Sequence, residues 1–114
     1  MYIITFYTPS GKTSPIRKFL DSTKVPLRRK ILRQFMYVQE FGFSPSIPNL
    51  RKFTDTPVWE LRILGKDNIR IICTPLPNKE IKILHIFSKK KQKTPQKEII
   101  IALSRYHEII KRTS

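Results

Sequence analysis

Three charged side chains interrupt two apolar stretches in the middle of the chain. Glu60 and Arg62 alternate with apolar residues in the stretch W-E-L-R-I, and Arg70 lies eight residues later in a second apolar stretch. Strand centres favour β-branched and aromatic residues, so charges there are unusual. Because side chains two apart point to the same face of a strand, the three are expected to converge on an open sheet face. The other interpretation is a solvated face with one salt bridge, which stabilises little.

A run of lysines follows the last apolar stretch of this region. It comprises Lys89, Lys90, Lys91 and Lys93, with Lys97 one helical turn further. Five cations among nine residues, with no acid between them, are typical of a phosphate-binding surface. A solubilising charge run is the alternative. The position at a predicted strand-to-helix junction favours anion binding, because backbone N–H groups also face outward there.

These residue types could cleave RNA without a metal ion. Attack by the 2′-hydroxyl needs a proton acceptor, a cation for the charge that develops on the phosphate, and a proton donor for the 5′-oxygen. Arginine binds phosphate bidentately, and a lysine crowded by other cations has a lowered pKa that suits proton transfer. His85 and His107 lie on different predicted elements, and no carboxylate cluster is present for Mg²⁺. We therefore expect neither a metal nor a cofactor, and a hydrogen-bonded core role for His85.

Composition narrows the classes of protein further. The 114 residues contain 23 Lys+Arg against 8 Asp+Glu, a net charge of +15, which favours polyanionic partners. The single cysteine, Cys73, excludes an internal disulfide and, with two histidines, a structural zinc site. The apolar run at 2–7 is too short for a signal sequence, and no stretch approaches the roughly 20 apolar residues of a membrane span. We expect one cytoplasmic domain over residues 1–114, with no membrane contact.

The remaining pattern predicts the elements that position these side chains. Strands are predicted over 2–7, 58–64, 69–74 and 80–87, and helices over 15–21, from 26 to Gly42, and after Pro95. Residues 44–57 are predicted to form a connecting loop. Short links between the later strands imply an antiparallel meander. The order β-α-α-β-β-β-α predicts an α+β fold, with a small, largely antiparallel sheet and helices packed on one face.

The last predicted strand is apolar on both faces, as is typical of a central strand. Simple alternation places Ile81, Ile83, His85 and Phe87 on one face, and Lys82, Leu84 and Ile86 on the other.

Two motifs and the arginine between them resemble a known toxin superfamily. The chain has W-E-L-R at 59–62, Arg70, and F-S-K-K-K-Q-K-T-P at 87–95, and the similarity runs in order from Ser10 onwards. In these features it is similar to the phage-derived branch of the HigB/RelE/ParE toxins. The resemblance implies a small ribonuclease-like α+β fold and a toxin of a type II toxin–antitoxin module. It further implies cleavage of mRNA on the ribosome and a helix-turn-helix antitoxin as partner.

The resemblance also implies roles for individual residues. Arg62 and Arg70 would bind the scissile phosphate, Lys90 would transfer a proton, and Glu60 would act as general base or orient Arg62. Contact with the ribosome or the mRNA is implied for Lys89, Lys91, Lys93 and Phe87. Two positions depart from the pattern, because Cys73 stands where relatives often have tyrosine and Ile86 where they often have glycine.

Two other functions stay open at this point. A ParE-like toxin would bind DNA gyrase and cleave nothing, and a non-catalytic nucleic-acid-binding domain would also explain the charge. Convergent cations on a sheet face favour the nuclease, since a pure protein binder does not need them.

Overall fold

Five strands and three helices make up the protein in a computed structural model, which describes residues 1–89 and 94–113. The strands are β1 (Ile3–Phe6), β2 (Leu50–Lys52), β3 (Trp59–Ile63), β4 (Ile69–Leu76) and β5 (Glu80–Ser88). The helices are α1 (Pro15–Ser22), α2 (Val25–Phe41) and α3 (Gln96–Thr113). The predicted α+β class and the predicted helices and strands are confirmed.

One strand lies in the segment that was predicted to be a loop. The sheet has the order β1-β5-β4-β3-β2, with β1 parallel to β5 and every other pair antiparallel. Strand β2 occupies three residues of the expected 44–57 loop and places Arg51 opposite Glu60. A strand this short, in a stretch with three prolines, shows no alternation by which it could be recognised.

Helices α1 and α2 begin and end as the sequence predicts. The hydroxyl oxygen of Ser14 accepts hydrogen bonds from the N–H groups of Ile16 and Arg17, with Pro15 in the first turn. Helix α2 ends at Gly42, where φ is 68°. A Cβ at this position would lie 2.6 Å from the ring of Tyr2, so only glycine fits.

The helices cover both faces of the sheet, so the expectation that they pack on one face is wrong. Side chains of α1 and α2, such as Ile16 and Ile31, share a core cluster with Ile71 of β4. The next residue, Ile72, belongs to a second cluster that includes Ala102 of α3. Adjacent residues of a strand point to opposite faces, so α3 lies on the opposite side from α1 and α2.

A β-bulge between β4 and β5 changes which side chains share a face. Ile72 pairs with His85 whereas Cys73 pairs with Ile83, which leaves Leu84 as an extra residue on β5. The expected common face for residues 81, 83, 85 and 87 is therefore wrong. Ile81 and Ile83 pack in the cluster with α1 and α2, and Phe87 packs in the cluster with α3.

His85 is a hydrogen-bonded histidine between β5 and α3. Its Nδ1 lies 3.2 Å from an Arg105 N–H group, which can only donate, and its Nε2 lies 3.4 Å from a Glu98 carboxylate oxygen. Burial lowers the pKa of His85 and the Arg105 charge lowers it further, while Glu98 opposes both. These contacts confirm the expected core role.

Candidate active site

The sheet brings the three predicted charged residues together. Arg62 of β3 pairs directly with Arg70 of β4, and Glu60 lies two residues before Arg62 on the same face. Arg51 joins them from β2, opposite Glu60. Lys89, just after β5, completes the group and exchanges backbone and side-chain hydrogen bonds with Asn68 at 2.9 and 2.7 Å. We call Arg51, Glu60, Arg62, Arg70 and Lys89 the basic cluster.

The basic cluster is more buried than an open sheet face would be. Glu60 is 0% exposed and Arg70 is 4% exposed, so the expected open face is wrong at these two positions. One carboxylate oxygen of Glu60 lies 3.4 Å from Nε of Arg51 and 3.8 Å from Nη1 of Arg70. The other oxygen accepts a hydrogen bond from the hydroxyl of Thr94. Glu60 is covered because Arg51 and Thr94 both contact its carboxylate. Neither residue lies on β3 or β4, so the alternation along those strands could not predict these contacts.

Positive charge in the cluster is only partly compensated. Among the described residues, Lys89 interacts electrostatically with Arg51, Arg62 and Arg70 but with one carboxylate, Glu60, so these four cations share a single negative charge. Burial lowers the pKa of Arg70, and the charges of Arg62 and Arg51 add to this effect while Glu60 opposes it. Burial likewise lowers the pKa of Lys89, followed by repulsion from Arg70. Such a group gains from binding an anion.

Several buried nitrogens of the cluster have no hydrogen-bond partner within the described residues. They are Nε and Nη1 of Arg70 and Nε of Arg62. Buried donors are normally paired, because an unmade hydrogen bond leaves the desolvation cost uncompensated. The arrangement therefore suits a ligand rich in acceptor oxygens, and a phosphate group is one.

The other predicted site residues lie outside this group. Phe87 is 7% exposed, belongs to the cluster under α3 and stacks on His85 with ring centroids 5.1 Å apart. This buried position provides no free ring face for a base of RNA. Lys90, Lys91 and Lys93 lie outside the described residues.

Sequence reasoning missed two members of the site. Arg51 belongs to the unrecognised strand β2, and nothing in its local pattern distinguishes it from other surface arginines. Thr94 precedes the proline after which the last helix is predicted, and its hydroxyl donates a hydrogen bond to Glu60. The T-P step before a helix carries no signal for that long-range contact.

Two other kinds of chemistry find no support in the described part of the chain. No group of three or more His, Cys, Asp or Glu residues suited to a metal ion occurs there. Cys73 is buried, and burial raises the pKa of its thiol to about 12, so it is not a ready nucleophile.

Within the described residues, none of the three helices combines the length and hydrophobicity that crossing a bilayer requires.

Comparison with known proteins places the chain in a family. The family model for phage-derived Gp49-like proteins (DUF891) matches residues 18–107. The chain belongs to this family. No curated protein matches its sequence significantly.

Among solved structures, the Gp49-like protein is similar to E. coli toxin RelE, in the form of a double arginine-to-alanine mutant in the free state. The TM-score is 0.64 at 11% identity, over 91% of this chain and 96% of that chain. At this identity the similarity shows the fold. The Gp49-like protein therefore has the fold that the motif resemblance implied.

Proposed function

We propose that this Gp49-like protein is the HigB-like toxin of a type II toxin–antitoxin module. As a single domain it stops translation by cutting mRNA on the ribosome, without a metal ion or cofactor. One observation carries the proposal: an under-neutralised group of arginines and lysine around one buried carboxylate, on a RelE fold. This is the kind of preorganised positive charge that stabilises a phosphoryl transition state.

Arg62 is the member of the cluster that contacts the scissile phosphate. It is only partly buried, whereas Arg70 is 4% exposed. Arg70 pairs with Arg62 across the β3–β4 ladder and supplies positive charge from a more buried position than Arg62. A charge held away from water acts over a longer distance, so Arg70 contributes to binding the phosphate without having to reach the solvent.

Glu60 acts as a positioning residue and not as the general base. It is fully buried, and one carboxylate oxygen accepts a hydrogen bond from Thr94. The other oxygen has no hydrogen bond within the described residues but lies at ion-pair distance from Arg51 and Arg70. A base must come within hydrogen-bond reach of the 2′-hydroxyl, which this carboxylate does not. The described ion pairs of Glu60 are with Arg51 and Arg70. We therefore propose that Glu60 orients these two arginines, whereas the sequence led us to expect that it orients Arg62.

The lysines transfer protons and bind the backbone of the RNA. In the reaction the 2′-oxygen bonds to phosphorus, the bond from phosphorus to the 5′-oxygen breaks, one proton leaves the 2′-hydroxyl and one reaches the 5′-oxygen. Lys90 is our candidate for this proton transfer. At its neighbour Lys89, burial lowers the pKa most and repulsion from Arg70 lowers it further. Lys89, Lys91 and Lys93 bind the ribosome or the mRNA.

The partner is an antitoxin of the helix-turn-helix class, and α2 carries a surface suited to it. Leu32 and Met36 are 42% and 64% exposed and line a groove of about 730 Å³ beside β1. Lys12 and Arg17 line the same groove. Apolar side chains between cations are complementary to an acidic amphipathic segment, which we propose the antitoxin supplies.

Growth and translation assays test the function. Expression of the chain alone should stop protein synthesis, measured by pulse labelling, before DNA synthesis falls. Purified protein should cut mRNA in translating ribosomes in the presence of a chelator. If DNA synthesis fails first, with gyrase-dependent breaks, the protein is a ParE-like gyrase inhibitor. If RNA is bound but never cut, it is a non-catalytic binding domain.

A further inference from the structure

A second basic cavity lies beside the basic cluster, where α2 passes the uncovered end of β3. Its volume is about 260 Å³, and its lining residues are Lys30, Arg33, Gln34, Asn49, Arg62, Ile63 and Leu64. Strand β2 pairs with β3 only as far as Leu61, after which the carbonyl of Asn49 accepts the N–H of Arg62 at 3.1 Å. The cavity therefore shares Arg62 with the candidate active site.

The charges around this cavity are all of one sign. Lys30 and Arg33 come from α2 and Arg62 from β3, and no Asp or Glu is among the described residues that line the cavity. None of the three cations forms an ion pair with another described residue. Arg28, one turn away on the same helix, differs because its guanidinium donates to carbonyls at the end of α1. Cations gathered without a counter-ion favour an anionic ligand.

Two of the residues that line the cavity each have an unpaired polar atom, one a donor and one an acceptor. Nε of Arg62 and Oε1 of Gln34 are buried, and neither has a hydrogen-bond partner within the described residues. A simple anion would satisfy the donor but not the amide oxygen, which needs an N–H or O–H group. A ribonucleotide offers both, since its phosphate oxygens accept and its 2′-hydroxyl donates.

We propose that this cavity binds the ribonucleotide next to the scissile phosphate. Lys30 and Arg33 hold its phosphate from α2, Arg62 lies at the boundary with the basic cluster, and Gln34 accepts a hydrogen bond from its 2′-hydroxyl. The inference rests on the proposed function, because it takes Arg62 to contact the phosphate that is cut. It extends that function by giving the RNA strand a path from the basic cluster towards α2, and by providing a contact that distinguishes RNA from DNA.

Binding of short single strands tests the site without requiring cleavage. The probes are an RNA oligonucleotide and a DNA oligonucleotide of the same sequence, titrated at several salt concentrations with fluorescence anisotropy. Arg33→Gln should weaken binding of both probes and reduce the salt slope by roughly one unit. The matched control is Arg29→Gln, which removes the same charge from an exposed position of α2 outside the cavity. Its slope should change much less. Equal effects of the two substitutions would overturn the cavity as a local phosphate site.

Gln34→Leu tests the sugar contact. It should lower affinity for RNA by about 5-fold, the scale of one net hydrogen bond, and leave affinity for DNA nearly unchanged. Gln34→Asn keeps an amide and serves as the control for a substitution at this position. Equal melting temperatures of the variants and the wild type exclude unfolding as the cause of weaker RNA binding. An unchanged RNA-to-DNA ratio in Gln34→Leu would overturn the proposal. Loss of binding in Arg33→Gln with no cleavage by any variant would instead leave the cavity in place and refute the nuclease function.

Discussion

The hydroxyl of Thr94 donates a hydrogen bond to the carboxylate of Glu60, joining the start of α3 to the centre of the sheet. Glu60 is 0% and Thr94 is 4% exposed. The same carboxylate lies 3.8 Å from Arg70. Lys89, at the other end of the segment that joins β5 to α3, interacts electrostatically with Arg70 and Glu60. Both ends of the lysine-rich segment are thus anchored at the basic cluster.

Thr94→Val should lower both stability and cleavage. Valine keeps the shape but leaves a buried carboxylate oxygen without its donor, which costs about 1–3 kcal/mol of unfolding free energy. Thr94→Ser keeps the hydroxyl and serves as the control. Denaturant unfolding and the cleavage rate per folded molecule are the measurements. Wild-type activity in folded Thr94→Val would show that this hydrogen bond does not position the site.

Glu60→Gln distinguishes a positioning residue from a general base. Removing the buried negative charge leaves Arg70 and Lys89 without compensation, so unfolding free energy should fall by about 3–5 kcal/mol. Cleavage by the folded fraction should decrease, while its dependence on pH keeps its shape. The rate is measured across the acidic range. Disappearance of the acidic limb would identify Glu60 as the base after all.

His85 should make stability depend on pH between about 6.5 and its own lowered pKa in the folded state. Burial and Arg105 hold its pKa below the ordinary value near 6.5, so the folded state binds fewer protons than the unfolded chain. The contribution is complete above about pH 6.5 and is lost as pH falls below that value towards the folded pKa.

Chemical denaturation at the two ends of this range measures the effect. His85→Gln should flatten the dependence, whereas His107→Gln, an exposed histidine of α3, should leave it unchanged. The carboxyl groups of Glu80 and Glu108, whose pKa values are lowered from about 4.5, titrate below this range. An identical slope in His85→Gln and wild type would contradict the account.

The groove beside β1 should affect neutralisation and not toxicity. Met36→Glu places a like charge against an acidic antitoxin segment, so affinity for the antitoxin should fall by about 10-fold or more. Cleavage by the free toxin should stay the same, because Met36 lies outside the basic cluster. Tyr37→Glu, an exposed change outside the groove on the same helix, is the control. Equal affinity of wild type and Met36→Glu would place the antitoxin elsewhere.

Local pattern was enough to predict most of the fold and the central part of the site. The period of two along β3 and β4 places Glu60, Arg62 and Arg70 on one face, and the pairing of Arg62 with Arg70 agrees with it. That argument depends only on regular strand geometry, and the β3–β4 pair has a continuous register over these residues. The caps at Ser14 and Gly42 are likewise local.

The features that the sequence did not predict depend on contacts between distant segments. The bulge at Leu84 is set by pairing with β4 and moves Phe87 into the cluster under α3. Strand β2 exists because its three residues pair with β3. Burial of Glu60 depends on Thr94, which is 34 positions away in the chain. Alternation and helical period carry no information about such contacts.

The central claim is that the basic cluster cuts mRNA through Arg62. The most direct measurement compares Arg62→Ala with Arg29→Ala in purified ribosomes translating a defined mRNA, with equal toxin occupancy on the ribosome. Arg62 is preferred over Arg70 because Arg70 is buried, and its loss would also destabilise the fold. We expect Arg29→Ala to cut mRNA at the wild-type rate. The cleavage rate of Arg62→Ala should be lower by about 100-fold or more, the scale of a lost transition-state charge partner. Cleavage by Arg62→Ala at the wild-type rate would contradict the account.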